Sequence, residues 1–212
     1  MGKIRIRALI LDYGGVISQP QNPENVNNIL RSLGQVHDGF SEVYFRQRGQ
    51  YDLGQISGEQ YWSNILQHYG LNPQDFDIAR LIQEDVKSWT QLNEAMIQFI
   101  TESRSKIHRL AMLSNMTRDT LAFMRKHYSW LELFDALCFS CELGIKKPGR
   151  EIYETCLKKL EISPNECLFV DDSERNVKGA MEAGMPAIYF TTFSEFMLEL
   201  DEKYSLALKN TA

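Results

Sequence analysis

The sequence predicts an α/β fold: a doubly wound, Rossmann-like parallel sheet joined to a small, all-helical domain. Short, continuously apolar runs of strand length recur along the chain, and helical stretches separate those between Ile107 and Phe190. A long stretch between Pro20 and Trp89 instead carries helical periodicity and no convincing strand. At 212 residues, 43% hydrophobic and 24% charged, the chain suffices for one good-sized core, or for one core with a smaller insertion. Only 6 prolines interrupt it, so a folded chain is the expectation rather than a disordered one.

The first strand is read from Ile4 to Leu11, where alternation gives way to a continuous apolar run that ends in Asp12-Tyr13-Gly14-Gly15, a glycine turn. Beyond Pro20 the chain is richer in Asn, Gln and aromatic residues, and the segments 40–45 and 58–66 suit amphipathic helices. Helical spacing continues through Leu92–Ile100. A second strand, Ile107–Leu113, ends at Ser114-Asn115, and a helix spans about Thr120 to Tyr128. The third strand, Ala136–Phe139, is followed by the loop Gly144–Pro148, which contains Lys147. A helix over Glu151–Leu160 sets Ile152, Cys156, Leu157 and Leu160 near one face. Cys167–Val170 is the fourth strand and ends in Asp171-Asp172-Ser173. The next helix carries Val177 and Met181 and closes at Gly184 before a fifth strand, Ala187–Phe190.

Charge and composition exclude several classes. The formal net charge is -5 and no long Lys/Arg block is present, which argues against a nucleic-acid partner. The opening apolar run stops at Asp12, too short for a signal peptide or a membrane span, so no membrane partner is expected and the expected address is cytoplasmic. The cysteines Cys138, Cys141, Cys156 and Cys167 have no histidine at metal-binding spacing and read as free thiols.

In such sheets functional residues gather beyond the carboxyl ends of the strands. Four strand ends here deliver Asp12, Ser114, the loop with Lys147, and Asp171-Asp172. Alone, each has an ordinary reading as a turn former, a helix cap or a solvated lysine. Together they do not: adjacent carboxylates at the mouth of a parallel sheet repel, and they are best tolerated when a cation or a lysine lies between them and a third acid. Three ionised carboxylates against one ammonium leave a local charge of about minus two, which a divalent cation cancels. Oxygen donors with no convergent histidine or thiolate suit Mg2+ far better than zinc, and the ligand that such a site accepts is an anion with oxygen donors. Pro148 holds Lys147 toward an extended backbone, near the start of the following helix.

These residues resemble the four motifs of the haloacid dehalogenase-like hydrolase superfamily, spread over most of the chain. Leu9–Ile17 is similar to the first motif, Leu113-Ser114-Asn115 to the second and Lys147-Pro148 to the third. Leu168–Ala180 with Ala183-Gly184 is similar to the fourth. The resemblance implies a magnesium-dependent phosphomonoester hydrolase of small phosphorylated metabolites. Asp12 is then the nucleophile that becomes an aspartyl phosphate, while Ser114 and Lys147 hold phosphoryl oxygens. Asp172, a carboxylate oxygen of Asp12 and the carbonyl of Gly14 are the implied magnesium ligands, with Asp171 acting through water or from behind. It also implies a catalytic core of residues 1–18 and 90–212 and a helical cap domain of residues 19–89.

The chain departs from the pattern at Gly14, where phosphatases of this superfamily commonly carry a second aspartate as general acid and base. Gly14 cannot donate a proton, so protonation of the leaving group falls to another group or to solvent. Slow turnover of alkyl phosphates is the expectation, and a positive φ at Gly14 would penalise a restored aspartate. Two other readings stay open: a 2-haloacid dehalogenase, since halide needs no proton, and a catalytically weak magnesium-binding interaction protein. Against the dehalogenase stand Asp171-Asp172 and Val16, where those enzymes typically carry Thr. Within the cap, Arg46, Arg48, Tyr51, Tyr61 and Trp62 are candidates for leaving-group contacts, although aromatics at helical spacing more often form core. His37, His68, His108 and His127 share no motif and read as surface or core-edge residues.

Overall fold

The computed structural model describes residues 3–34 and 39–206. Strand β1 (Ile4–Ile6) leads into β2 (Ala8–Leu11), followed by a wound turn at Tyr13–Ile17 and by helices α1 (Pro23–Ser32), α2 (Phe40–Asp52), α3 (Gly58–His68) and α4 (Ile78–Ser88). After α5 (Glu94–Ser103) come β3 (Arg109–Ser114), α6 (Arg118–His127), β4 (Ala136–Phe139), α7 (Ser140–Leu143) and α8 (Arg150–Leu160). Then follow β5 (Cys167–Asp171), α9 (Glu174–Glu182), β6 (Ala187–Tyr189), α10 (Phe193–Lys203) and β7 (Tyr204–Leu206).

The main sheet runs β4-β3-β2-β5-β6 with every pairing parallel, the doubly wound arrangement. From β2 the chain winds outward to β4, then returns to the other side of β2 for β5 and β6. The reversal lies between β2 and β5, where ligands bind in folds of this kind. Both faces of the sheet are covered, which is why its strands read as unbroken apolar runs. Leu9 and Leu11 of β2 pack on one side with Met112, Leu168 and Val170, beneath Met96, Leu121 and Phe196 of α5, α6 and α10. Ala8 and Ile10 pack on the other with Leu113 and Phe169, against Ile152, Cys156 and Ala180 of α8 and α9.

The expected first strand is two strands. It breaks at Arg7, whose amide donates to the Glu166 carbonyl at 2.6 Å and whose guanidinium meets the Glu166 carboxylate at 2.9 Å. β1 leaves the main sheet there and pairs in parallel with β7. Helix α10 and strand β7 lie beyond the last strand expected from the sequence.

The segment from α1 to α4 is helical, as its periodicity predicts, and its starts follow from local chemistry. Asn22 and Asp77 cap α1 and α4, and Ser57 forms a reciprocal capping box with Gln60 at α3. These helices close around their own apolar cluster of Ile29, Tyr44, Tyr51, Tyr61, Trp62 and Leu81. The chain enters and leaves the segment side by side, through a Ser18–Leu92 bridge and a 2.7 Å bond from the Gln19 amide to the Gln91 carbonyl. The C-terminal end of α2 touches the sheet-bearing part directly. Tyr51 donates to Asp119 at 2.7 Å, and Ser140 donates to the Asp52 carbonyl at 2.6 Å. Gly54, with φ +65°, closes this contact because a Cβ there would lie 2.5 Å from the Cys141 carbonyl.

All four cysteines are free and buried. No helix among the described residues is long and apolar enough to cross a membrane.

Candidate active site

The turn after β2 sets the floor of the site. Asp12 caps it, its Oδ1 accepting from the Tyr13 amide at 2.7 Å. Gly15 takes φ +73°, while Gly14 sits at φ -66° and ψ 127°, a conformation open to any residue. The backbone obstacle expected at Gly14 is therefore absent. Gly15 is the position that needs glycine: a Cβ there would fall 2.1 Å from Asp172 Oδ2. Over Gly14 lies the Trp89 ring, 3.4 Å from where a Cβ would stand.

Lys147 lies between two acids, as the charge argument requires. Its Nζ is 2.8 Å from Asp12 Oδ1 and 2.6 Å from Asp171 Oδ2, and its side chain is 1% exposed. The loop that carries it is pinned by Asn115, which accepts from the Lys147 amide at 2.9 Å and donates to the Lys147 carbonyl at 3.0 Å. The Lys147-Pro148 peptide is cis. Burial works against the Lys147 charge, but Asp12 and Asp171 outweigh it and hold its pKa above the usual value. Burial also pushes the Asp12 carboxyl up to about 7, against the charge of Lys147; the charge of Asp171 raises it further, and hydrogen bonds from Lys147 and Ser114 oppose the rise. One ammonium shared by two carboxylates cannot fully stabilise both.

The two acids of the fourth motif differ in setting. Asp171 is wholly buried and accepts from Lys147, from the Ser173 amide at 2.9 Å and from Asn176 at 3.0 and 3.2 Å. Asp172 is exposed toward the cavity. Asp12, Asp171 and Asp172 bring carboxylate oxygens within 4.8 Å of one another, with no histidine or cysteine among them. Hard oxygen donors of this number, one of them open, fit Mg2+.

Above this floor is a cavity of about 190 Å3, lined by Asp12, Gly14, Ser114 and Asp172 from below. Its other walls include Phe45, Arg48, Asp52, Trp89, Met116 and Thr120. The structure thus gathers the strand-end residues singled out from the sequence, Asp12, Gly14, Ser114 and Asp172 at the cavity, with Lys147 and Asp171 beneath its wall. Of the cap candidates only Arg48 lines the cavity. Tyr51, Tyr61 and Trp62 are buried in the helical cluster, and Arg46 is exposed beside Glu42. Arg48 is itself buried, held by Asp85 at 2.9 Å and Asp52 at 3.0 Å, with the rings of Tyr44, Tyr51 and Tyr61 around it. His68, His108 and His127 are away from the cavity lining; His37 lies outside the described residues. Phe45, Asp52 and Trp89 were not expected. The spacing of Phe45, Arg48 and Asp52 on α2, three and then four residues, is the signal that could have found the first two, since it lines up one helix face.

The fold and site define a haloacid dehalogenase-like hydrolase: the family model of that description matches residues 6–184, and the chain belongs to this family. A sesquiterpene phosphatase of Aspergillus oryzae is 27% identical over 195 residues, which cover 92% of this chain and 94% of that protein. A drimenol cyclase of Aspergillus calidoustus is 26% identical over 200 residues; these are 92% of this chain, which spans only 36% of the cyclase. Among solved structures, a family enzyme of Bacteroides thetaiotaomicron in complex with magnesium and inorganic phosphate superposes with a TM-score of 0.71. It is 21% identical, over 90% of this chain and 98% of the other.

Proposed function

We propose that this hydrolase is a magnesium-dependent phosphomonoesterase that acts on small phosphorylated metabolites through an aspartyl-phosphate intermediate. The observation that carries the reading is the shared ammonium: Lys147 bridges Asp12 and Asp171 at 2.8 and 2.6 Å directly below the cavity. A nucleophilic carboxylate must be held while an anion approaches it, and a buried cation does both. The phosphatase of A. oryzae, similar over nearly its whole length, and the neighbour that binds magnesium and phosphate support the same chemistry.

Oδ1 of Asp12 is occupied by Lys147 and the Tyr13 amide, which orients Oδ2 for attack on phosphorus. Ser114 and Lys147 hold the phosphoryl oxygens, and these donors act where charge spreads over the equatorial oxygens. Asp172, Asp12 and the Gly14 carbonyl would hold Mg2+, with Asp171 orienting Lys147 from behind. Bound there, the metal would neutralise charge as the anionic substrate approaches and would favour the ionised form of Asp12. Residues 19–89 act as the cap that closes the cavity.

The test is a screen of sugar phosphates, glycerol phosphate, aryl phosphates and a 2-haloacid, each with chelator and with magnesium. Phosphate release that stops on chelation and returns with magnesium is expected, and Asp12→Asn should fall below about a tenth of wild-type turnover while remaining folded. Chelator-insensitive halide release would replace this reading with the dehalogenase.

A further inference from the structure

We propose that Asp52, carried on the helical segment, is the proton donor and acceptor that replaces the acid missing at Gly14. The inference rests on the phosphatase reading and assigns a further catalytic residue to the same site.

The argument begins with what the cavity contains. Among the described residues lining it, the carboxyl groups are those of Asp12, Asp172 and Asp52. The first is the nucleophile and the second is committed to the metal. Tyr13 also lines the cavity, but its hydroxyl donates to the Trp89 carbonyl at 2.7 Å. Gly14 brings no proton donor, and a Cβ there would stand at ordinary contact distance, 3.4 Å, from the Trp89 ring. Asp52 is the remaining acid with access to a bound ester.

Its position is built rather than incidental. Asp52 ends α2, and its carbonyl accepts from Ser140 Oγ at 2.6 Å. That same Oγ accepts from the Met116 amide at 3.0 Å, two residues beyond Ser114. The backbone of Asp52 is thereby tied to the loop that holds the phosphoryl oxygens, through a single hydroxyl. Tyr51 and Gly54 dock on either side, against Asp119 and the Cys141 carbonyl. The side chain is steered by Arg48, whose Nε donates to Oδ1 at 3.0 Å. Oδ2 has no hydrogen-bond donor among the described residues, which leaves one oxygen to carry a proton. Arg48 is itself anchored by Asp85.

The surroundings shift the side chain toward its protonated form. Burial raises the Asp52 pKa above its ordinary value; Arg48 and Lys146 oppose the rise and Asp85 adds to it. Cys141, on the neighbouring α7, has its thiol raised to about 11 by burial, so it stays neutral beside Asp52.

The steps balance. Asp12 Oδ2 forms a bond to phosphorus as the ester P–O bond breaks, and the departing oxygen takes the Asp52 proton to leave as an alcohol. The Asp52 carboxylate then takes a proton from water, whose oxygen attacks phosphorus and releases inorganic phosphate and the Asp12 carboxylate. Asp52 regains its proton in the second step, so no outside acid or base is needed.

A positioned donor matters most for poor leaving groups, so the readout is a comparison of glycerol phosphate with 4-nitrophenyl phosphate, in magnesium. Asp52→Asn is expected to lower kcat/KM for glycerol phosphate by about a hundredfold, and for the aryl ester far less. Because hydrolysis of the intermediate still needs the base, the variant should release one equivalent of 4-nitrophenol in a burst before slow turnover. Wild-type kcat/KM for glycerol phosphate should fall as pH rises through the raised Asp52 pKa, since the acid is lost there. That limb should vanish in Asp52→Asn and return in Asp52→Glu. Equal losses on both esters, as a merely structural role would give, or an unchanged ratio overturns the assignment. If Asp52→Asn does not fold, wild type decides: a shallow dependence of kcat/KM on leaving-group pKa supports the donor and a steep one overturns it. Wild type that releases phosphate from no ester sinks the phosphatase reading first, and the donor with it.

Discussion

The two adjacent acids at the end of β5, Asp171 and Asp172, divide the labour at the site by burial. Asp171 spends its oxygens on Lys147, Ser173 and Asn176, whereas Asp172 reaches the cavity. Removing the first therefore breaks a buried network, and removing the second takes the open carboxylate from the proposed metal site. Asp171→Ala should cost about 3 kcal/mol or more of stability, the usual scale for breaking a buried ion pair. Asp172→Ala should leave stability nearly unchanged and weaken magnesium binding by at least about tenfold more than Asp171→Ala does. Thermal unfolding without metal and calorimetric titration with magnesium check the two halves, and equal losses of magnesium affinity would refute the division. Asp171 and Asp172 were legible in the sequence because they stand at the end of an apolar strand. Asn115 was legible only as part of a motif; that its amide spans both backbone groups of Lys147 depends on a contact between loops 32 residues apart.

The turn Tyr13–Ile17 shows how one element can assign different duties to adjacent glycines. Gly15 has a left-handed backbone and abuts the Asp172 carboxylate, so a methyl group there both strains the turn and displaces that carboxylate. Gly14 faces the Trp89 ring with ordinary backbone angles. Gly15→Ala is expected to weaken magnesium binding by about tenfold or more while Gly14→Ala binds it normally, a difference that titration reads directly. Equal binding by both would show that the turn does not shape the metal site. The sequence marked the glycine pair but not which member carries the positive φ, because that depends on the position of Asp172 across the switch point. The same limit explains the first strand. Ile4–Leu11 is one apolar run, and the break at Arg7 comes from Glu166, which belongs to a different part of the chain. On α2 the periodicity identified a helix, yet its cavity face stayed hidden because the apolar and charged positions are mixed around it.

At the scale of the molecule, the cavity of about 190 Å3 is smaller than the roughly 300 Å3 at which pockets for drug-sized ligands begin. On the proposed reading a phosphoryl group takes part of that space, which leaves room for a short leaving group. Flavin mononucleotide should accordingly be hydrolysed at least about tenfold less efficiently than a three- to six-carbon phosphate, judged by kcat/KM under saturating magnesium. Comparable efficiency would mean that the cavity opens widely in solution. The doubly wound sheet and the separate helical stretch were legible because parallel strands buried on both faces announce themselves as apolar runs. How the helices lie over the sheet was not, since that depends on single contacts such as Ser140 with Asp52.

The paired crossing at Ser18 and Leu92 gives this arrangement an evolutionary reading. A segment whose two ends lie side by side can be replaced by another of different length without disturbing the floor of the cavity. With Asp52 on that segment, such a replacement would exchange the recognition of the leaving group and the proton it receives as one heritable unit. Transplanting the stretch between Ser18 and Leu92 into a relative should then move both traits together.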